Sequence, residues 1–248
     1  MFSNTIKFVA SEKYINFTEL KPTPSTLNIP KWYKDLTHSV DNRTVKGCMP
    51  FLDTLTAGYI LKMPVDYYLH HNVLKDGERG TIGMTSVNED INNELITNLN
   101  LNKQSASVHS VEQLSKGCPF VQKNKDLVFH KILNPWIIKT PPGYSCLFLP
   151  PMNNQDDRFS IIPGIVDTDC HPIEINFPIV VNGDKYPALD TIIKIGTPYV
   201  QVIPFKREKW KMKIEFESKE KQDEAALSFG SKVLNTYKTK WWNKKSWK

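Results

Sequence analysis

The chain lacks the short signatures that mark the commonest nucleotide and hydrolase folds. It has no Gly-x-Ser-x-Gly, no P-loop and no dinucleotide fingerprint. Readings as an α/β-hydrolase, an ATPase or a Rossmann enzyme therefore have little to stand on. Cysteine is sparse: Cys48, Cys118, Cys146 and Cys170 lie far apart and form no Cys-x-x-Cys pair. They read as free thiols in a reducing cytoplasm, a host cytoplasm if the source is viral, rather than as two disulfides. A zinc site on the adjacent Cys170 and His171 would need two remote ligands such as Cys48, Cys118 or His130, and no spacing supplies them. Long apolar runs are missing as well. Met1 to Leu20 is polar and charged apart from Phe8-Val9-Ala10, which fits neither a secretory signal nor a transmembrane segment.

What is present is a soluble-type composition, 40% hydrophobic over 248 residues, enough to bury a sizeable core. The formal charge of +6 is unevenly placed. Residues 206–248 hold 13 Lys and Arg against 6 Asp and Glu, while the first 205 residues hold 19 against 20. The body is neutral and the basicity belongs to the tail, unlike a uniformly basic nucleic-acid binder.

Short strand-like runs alternate with Gly, Pro and Asp turns, most densely from Pro141 to Glu208, the pattern of an all-β sandwich or barrel. Ile6 to Val9 reads as a first strand, and Pro22, Pro24 and Pro30 impose an extended connection. Trp32 and Tyr33 read as aromatics packed on the core. Gly58, between apolar runs, reads as a bulge or a close backbone approach. Residues from about 75 to 125 read as a polar insertion, with Ile91, Leu95, Ile96 and Leu99 at a partial helical spacing. Lys46 to Phe51 is echoed by Lys116 to Phe120. Lys211 to Glu217 alternates strictly, which predicts a half-buried strand with Met212, Ile214 and Phe216 inward. Ser218 to Tyr237 predicts a helix with Ala225, Leu227, Phe229, Val233 and Leu234 as its apolar content. These features divide the chain into one β domain, 1–217, and a C-terminal helix with a basic Lys/Trp tail, 218–248.

Within the central stretch, Gly164-Ile165-Val166-Asp167-Thr168-Asp169 resembles the Gly-Val-Ile-Asp-x-Asp motif of trimeric deoxyuridine triphosphatases and the related dCTP deaminases. Gly143-Tyr144 with the apolar run after it, and Gly196-Thr197-Pro198-Tyr199-Val200-Gln201-Val202-Ile203, are similar to the flanking segments of that family and occur in its order. Ala57-Gly58-Tyr59 is similar to its first motif. The longer run from Thr140 to Glu208 also resembles a family of bacterial and phage proteins to which no activity is assigned. The first resemblance implies a mainly β fold, a dUTPase-like barrel or jelly roll carrying the polar helical insertion and the C-terminal helix. It also implies a homo-oligomer, a trimer in that family, and a nucleotide ligand.

On that resemblance Asp167 lies at the sugar and positions the attacking water, with Mg as cofactor if a nucleotide is hydrolysed and none otherwise. Asp169, Gln201, Tyr144 and Arg158 complete the candidate ligand-binding set. Several positions depart from the family. Cys170 stands at the aromatic residue that screens out ribose, Ile60 at the first-motif Asp, and Leu149 to Asn153 lacks the Arg-Ser-Gly phosphate-binding run. These losses fall on catalytic groups, so altered or lost hydrolysis is the expectation. Each candidate also has a structural reading. Asp167 and Asp169 suit β-turn acceptors. Arg158, in a chain poor in arginine, suits a loop salt bridge as well as a phosphate. Trp241, Trp242 and Trp247 among lysines suit docking on protein, stacking on nucleic acid or a membrane surface. The alternative to a nucleotide-binding protein is a non-enzymatic structural or interaction protein, a scaffold of the phage-assembly type, using the barrel and the tail.

Overall fold

The computed structural model describes residues 4–73, 80–86, 108–154, 156–230 and 236–248, and they are mainly β. In chain order the strands are β1 (Lys7–Val9), β2 (Thr23–Pro24), β3 (Tyr59–Lys62), β4 (Tyr67–Asn72), β5 (Thr81–Ser86), β6 (Val108–His109) and β7 (Phe129–Ile132). They continue as β8 (Ile137–Lys139), β9 (Tyr144–Leu149), β10 (Phe159–Ile161), β11 (Gly164–Val166), β12 (Phe177–Val181), β13 (Ala188–Ile193) and β14 (Pro198–Lys206). The helices are α1 (Glu12–Ile15), α2 (Lys31–Asp35), α3 (Met49–Thr56), α4 (Pro119–Lys123), α5 (Lys219–Gly230) and α6 (Thr236–Lys240).

All strand pairs are antiparallel. They form four sheets, ordered β11-β9-β14-β3-β2, β10-β12-β7-β6, β13-β4-β5 and β1-β8. None closes on itself among the described residues, so the expected closed barrel is replaced by open sheets with free edges. One core cluster joins all four: Leu61, Phe148 and Val202 from the five-stranded sheet, Ile132, Ile161 and Ile179 from the four-stranded one, Leu69 and Ile193 from the third, and Ile138 from β8. Phe177 ties two layers together, with its ring 5.4 Å from Phe148 and 5.8 Å from Tyr199. Alternation in β9, where Cys146 and Phe148 are buried and Leu147 and Leu149 are less so, is what a strand with one core face requires.

Gly58 is the close approach the sequence suggests. Its φ is +68° and a Cβ there would lie 1.9 Å from the Val202 carbonyl oxygen. Trp32 and Tyr33, expected on the core, pack instead with Phe51 beside it, with ring centroids 5.8 to 5.9 Å apart. The Lys46/Lys116 echo marks two helix starts. Cys48 and Cys118 precede α3 and α4, each with Pro in its first turn, the position where a missing N–H costs nothing.

Two expectations change. Residues 81–86 and 108–109, placed in the polar insertion, are sheet strands. β5 pairs along the length of β4 and β6 pairs with β7. Ile91, Leu95, Ile96 and Leu99 lie outside the described residues, as do Val233 and Leu234 of the predicted C-terminal helix. Lys211–Glu217 is not a half-buried strand. Met212, Ile214 and Phe216 are 84%, 86% and 93% exposed. β14 ends at Lys206, and no strand of the same chain pairs with residues 208–217 among those described.

Candidate functional site

The paired strands β9 and β11 and the end of β14 bring Asp167, Asp169 and Tyr144 together. Gly143, at φ +83°, turns the chain into β9, and β9 then pairs with β11 on one side and β14 on the other. Past β11 the chain makes a tight turn in which Cys170 N–H (3.2 Å) and His171 N–H (3.0 Å) donate to the Asp167 carbonyl. Thr168, buried in that turn, meets Thr140 Oγ1 at 2.8 Å and donates to Cys146 Sγ at 3.3 Å. Burial pushes the Cys146 thiol up to about 11, so it is an inert core group.

Arg207, one residue beyond β14, organises the cluster. Its Nη1 donates to the Tyr144 carbonyl, Ser145 Oγ and Asp169 Oδ1, each at 3.0 Å, and Nη2 donates to Asp169 Oδ2. Nη1 is also 3.2 Å from Asp167 Oδ1, which accepts from Ser145 Oγ at 2.6 Å. Gly143 N–H donates to Asp169 Oδ2 at 2.8 Å. The Arg207 fork and that N–H hold the Asp169 carboxyl well below the usual range. Asp169 is thus spent on its own chain, and Asp167 keeps only Oδ2 open. One guanidinium between two carboxylates leaves a single net negative charge. No group of three His, Cys, Asp or Glu side chains able to hold a metal occurs among the described residues.

Gln201 is elsewhere. It is 1% exposed on β14, where Nε2 donates to the carbonyls of Thr54 (2.9 Å) and Ala57 (2.7 Å), and Oε1 accepts from Met152 N–H (2.9 Å). These bonds fasten the end of α3 and the Pro150–Asn154 loop to the sheet. Beside it is a crevice of about 30 Å³ lined by Pro151, Met152 and Asn154, room for a single water. A neighbouring cleft of about 190 Å³ has Asn153, Asp156, Asp157 and Tyr199 in its wall, below the span of ordinary ligand pockets. A depression of about 710 Å³ lies along Thr81, Glu112, Lys116 and Lys125. Asp167 and Asp169 line none of the three. Arg158 forms the loop salt bridge, with Nε and Nη2 on Asp156 at 2.9 and 2.8 Å and Nη1 on Thr191 Oγ1 at 2.7 Å. Burial pushes the Asp156 carboxyl up, and the Arg158 hydrogen bonds and charge outweigh it, leaving a net lowering. Tyr144 accepts from Asn4 Nδ2 at 2.5 Å through its hydroxyl.

Two groups escaped the sequence reading. Arg207 sits in the Lys206-Arg207-Glu208 run, and the scarcity of arginine was the available signal. On the outer face of β13-β4-β5, His70 Nδ1 meets Asp190 Oδ1 at 2.7 Å and Nε2 meets Thr81 Oγ1 at 2.9 Å. Only strand register brings these three together. The order hydroxyl, imidazole, carboxylate is that of nucleophilic catalysis. Tyr68 Oη also donates to Asp190 Oδ1 at 2.5 Å, so the group spans β13, β4 and β5 as cross-strand polar pairing.

The tail docks on its own body. Trp242 Nε1 donates to both Asp53 carboxylate oxygens at 3.1 and 3.0 Å, and Lys245 Nζ donates to Asp53 Oδ2 at 2.6 Å. Trp247 meets the Tyr59 ring edge-on at 6.3 Å, and Tyr59 Oη donates to the Lys248 carbonyl at 3.2 Å. No helix of the described residues is long and apolar enough to cross a membrane. No protein-family model matches the chain, and no curated protein matches it.

Proposed function

We propose that this chain is a non-enzymatic structural or interaction protein built on a dUTPase-like jelly-roll frame. The kinship of the frame is supported by adjacency. β9, β11 and β14 carry the three motif-like segments, and β3 carries Tyr59 of the fourth; all are neighbours in one sheet. The loss of catalysis is supported by one observation above others: the residues that would have to converge are separated and already bonded. Asp169 is held by Arg207 and Gly143, Gln201 by Thr54, Ala57 and Met152. A water-activating site needs a free carboxylate beside phosphate donors. Here the carboxylates are partly neutralised by Arg207, which does not suit a Mg ion.

A second reading, nucleotide binding with Asp167 at the sugar, is supported by the open Asp167 Oδ2. It is supported too by Gln201 lying against the Pro150–Asn154 loop, where the family keeps its phosphate-binding run. Asp167, Tyr144 and Gln201 would then be contacts, with Arg158 held by Asp156. A cytoplasmic setting belongs to the proposal and is supported by four cysteines that are all unpaired. Nucleic-acid binding by the tail has less support, because Trp242 and Trp247 are engaged with Asp53 and Tyr59.

The test is a thermal-shift panel of ribo- and deoxynucleotides with and without magnesium. The expected outcome is no saturable stabilisation by any of them. Stabilisation that is lost in Asp167→Asn would establish the second reading instead.

A further inference from the structure

Residues 208–217 carry Trp210, Met212, Ile214 and Phe216 at alternate positions, each 84 to 93% exposed. No backbone-to-backbone hydrogen bond forms from Glu208 through Glu217 among the described residues. Large apolar groups and unpaired backbone together are the signature of a strand without its sheet. The segment is held where it leaves the body, by Arg207 on Gly143, Tyr144 and Asp169. Farther on, Trp242 and Lys245 bring the chain back to Asp53. It is presented as an arm rather than left as a loose end.

The sequence of the arm names its partner. Lys211-Met212-Lys213-Ile214-Glu215-Phe216-Glu217 is self-complementary about Ile214. In an antiparallel pair of two such arms centred there, Lys211 faces Glu217, Lys213 faces Glu215, Met212 faces Phe216, and Ile214 faces its own copy. Directly opposite residues of an antiparallel pair share a face. One face therefore becomes a continuous apolar ladder and the other a row of Lys–Glu pairs. A slip of one residue in one arm puts charges against apolar groups, and parallel alignment in register puts like charges together. Within one chain Lys213 pairs with Glu215, two residues along.

We propose that the arm is a homodimerisation strand and that its partner is the same arm of a second copy of this chain. This names the partner for the interaction role argued above, and rests on that reading for its biological sense. The pairing would satisfy backbone N–H and C=O groups of both arms and set Met212 beside Phe216, Ile214 beside its copy and Phe216 beside Met212 along one face. The Ile214-centred register places the two bodies about a two-fold axis, an isologous contact that closes on itself.

The experiment measures mass in solution by light scattering and analytical ultracentrifugation over a concentration series, using the full chain of 28.5 kDa. The wild type is expected to run as a two-chain species. The all-acidic arm (Lys211→Glu with Lys213→Glu) and the all-basic arm (Glu215→Lys with Glu217→Lys) are each expected to raise the dissociation constant at least tenfold. Mixing the two variants in equal amounts is expected to restore the two-chain species, which also shows that both remain folded. A wild type that stays monomeric throughout the series up to ~50 µM would overturn the proposal. So would a trimer, or a dimer indifferent to the charge reversals. These outcomes are independent of nucleotide binding: a monomer inert to nucleotides removes the arm pairing alone, and a dimer that hydrolyses nucleotides removes the non-enzymatic reading alone.

Discussion

Gln201 shows what a single buried amide does in this protein. Its three hydrogen bonds join α3, the Pro150–Asn154 loop and β14. Gln201→Leu fills the same space and removes the bonds to the Thr54 carbonyl and the Met152 N–H, while the Ala57 carbonyl keeps Ser25 Oγ at 2.8 Å. Leaving buried polar groups unsatisfied costs on the order of 3 kcal/mol here, read as a lower urea midpoint. A residue that served only a ligand would leave that midpoint unchanged. His71 and His130 supply a second residue-scale prediction. Both are buried, and burial lowers the pKa of each from 6.5; at His71 the positive charge of neighbouring His70 and Lys125 adds to it, against the bond to the Tyr186 carbonyl. A folded state that prefers neutral imidazole binds fewer protons than the unfolded chain. The stability it confers is complete above about pH 6.5 and is lost as pH falls toward the folded values. The urea midpoint should therefore drop between pH 7.5 and pH 5, and His130→Leu should flatten that slope. The lowered carboxylates Asp66, Asp156 and Asp169 have ordinary values of 3.8 and act in a separate, more acid window.

At the scale of elements, Gly58 fixes how β3 meets β14. Gly58→Ala would force a left-handed alanine and a Cβ 1.9 Å from the Val202 oxygen. We expect a loss on the order of 3 kcal/mol, with a matching fall in thermal midpoint. This position was legible in the sequence because a glycine between apolar runs has few other uses. The strands from Tyr144 to Lys206 were legible for the same kind of reason: period-two patterning between Gly and Pro turns. The part of the arm from Lys211 to Glu217 has the same patterning, which predicts a half-buried strand. Alternation reports that a face needs covering and is silent about whether its cover is in the same chain. Arg207 and the Thr81–His70–Asp190 group stayed hidden because they depend on strand register, and no local spacing in the sequence encodes it. Asp167 and Asp169 were found as a pair, but the cation between them was not. That cation turns two candidate bases into a braced turn.

The described residues form open antiparallel sheets around a main core cluster, with a smaller one at Val121, Phe129 and Val180. The motif-like strands are central among them, and the apolar arm and basic tail extend from β14. The motif-like strands lie side by side in the five-stranded sheet, and the polar side chains on and beside them serve internal bonding. The most direct measurement of that claim is the shift in thermal midpoint with deoxynucleoside triphosphates and magnesium at millimolar concentration. A functional site filled to 100 times its dissociation constant would stabilise the folded state by about 2.7 kcal/mol. For a chain of this size that corresponds to a rise of about 5–10 °C. The internally bonded Asp169 and Gln201 predict no saturable shift with any nucleotide. A shift of that size, saturable and abolished by Asp167→Asn, would contradict this account and establish a nucleotide site at Asp167.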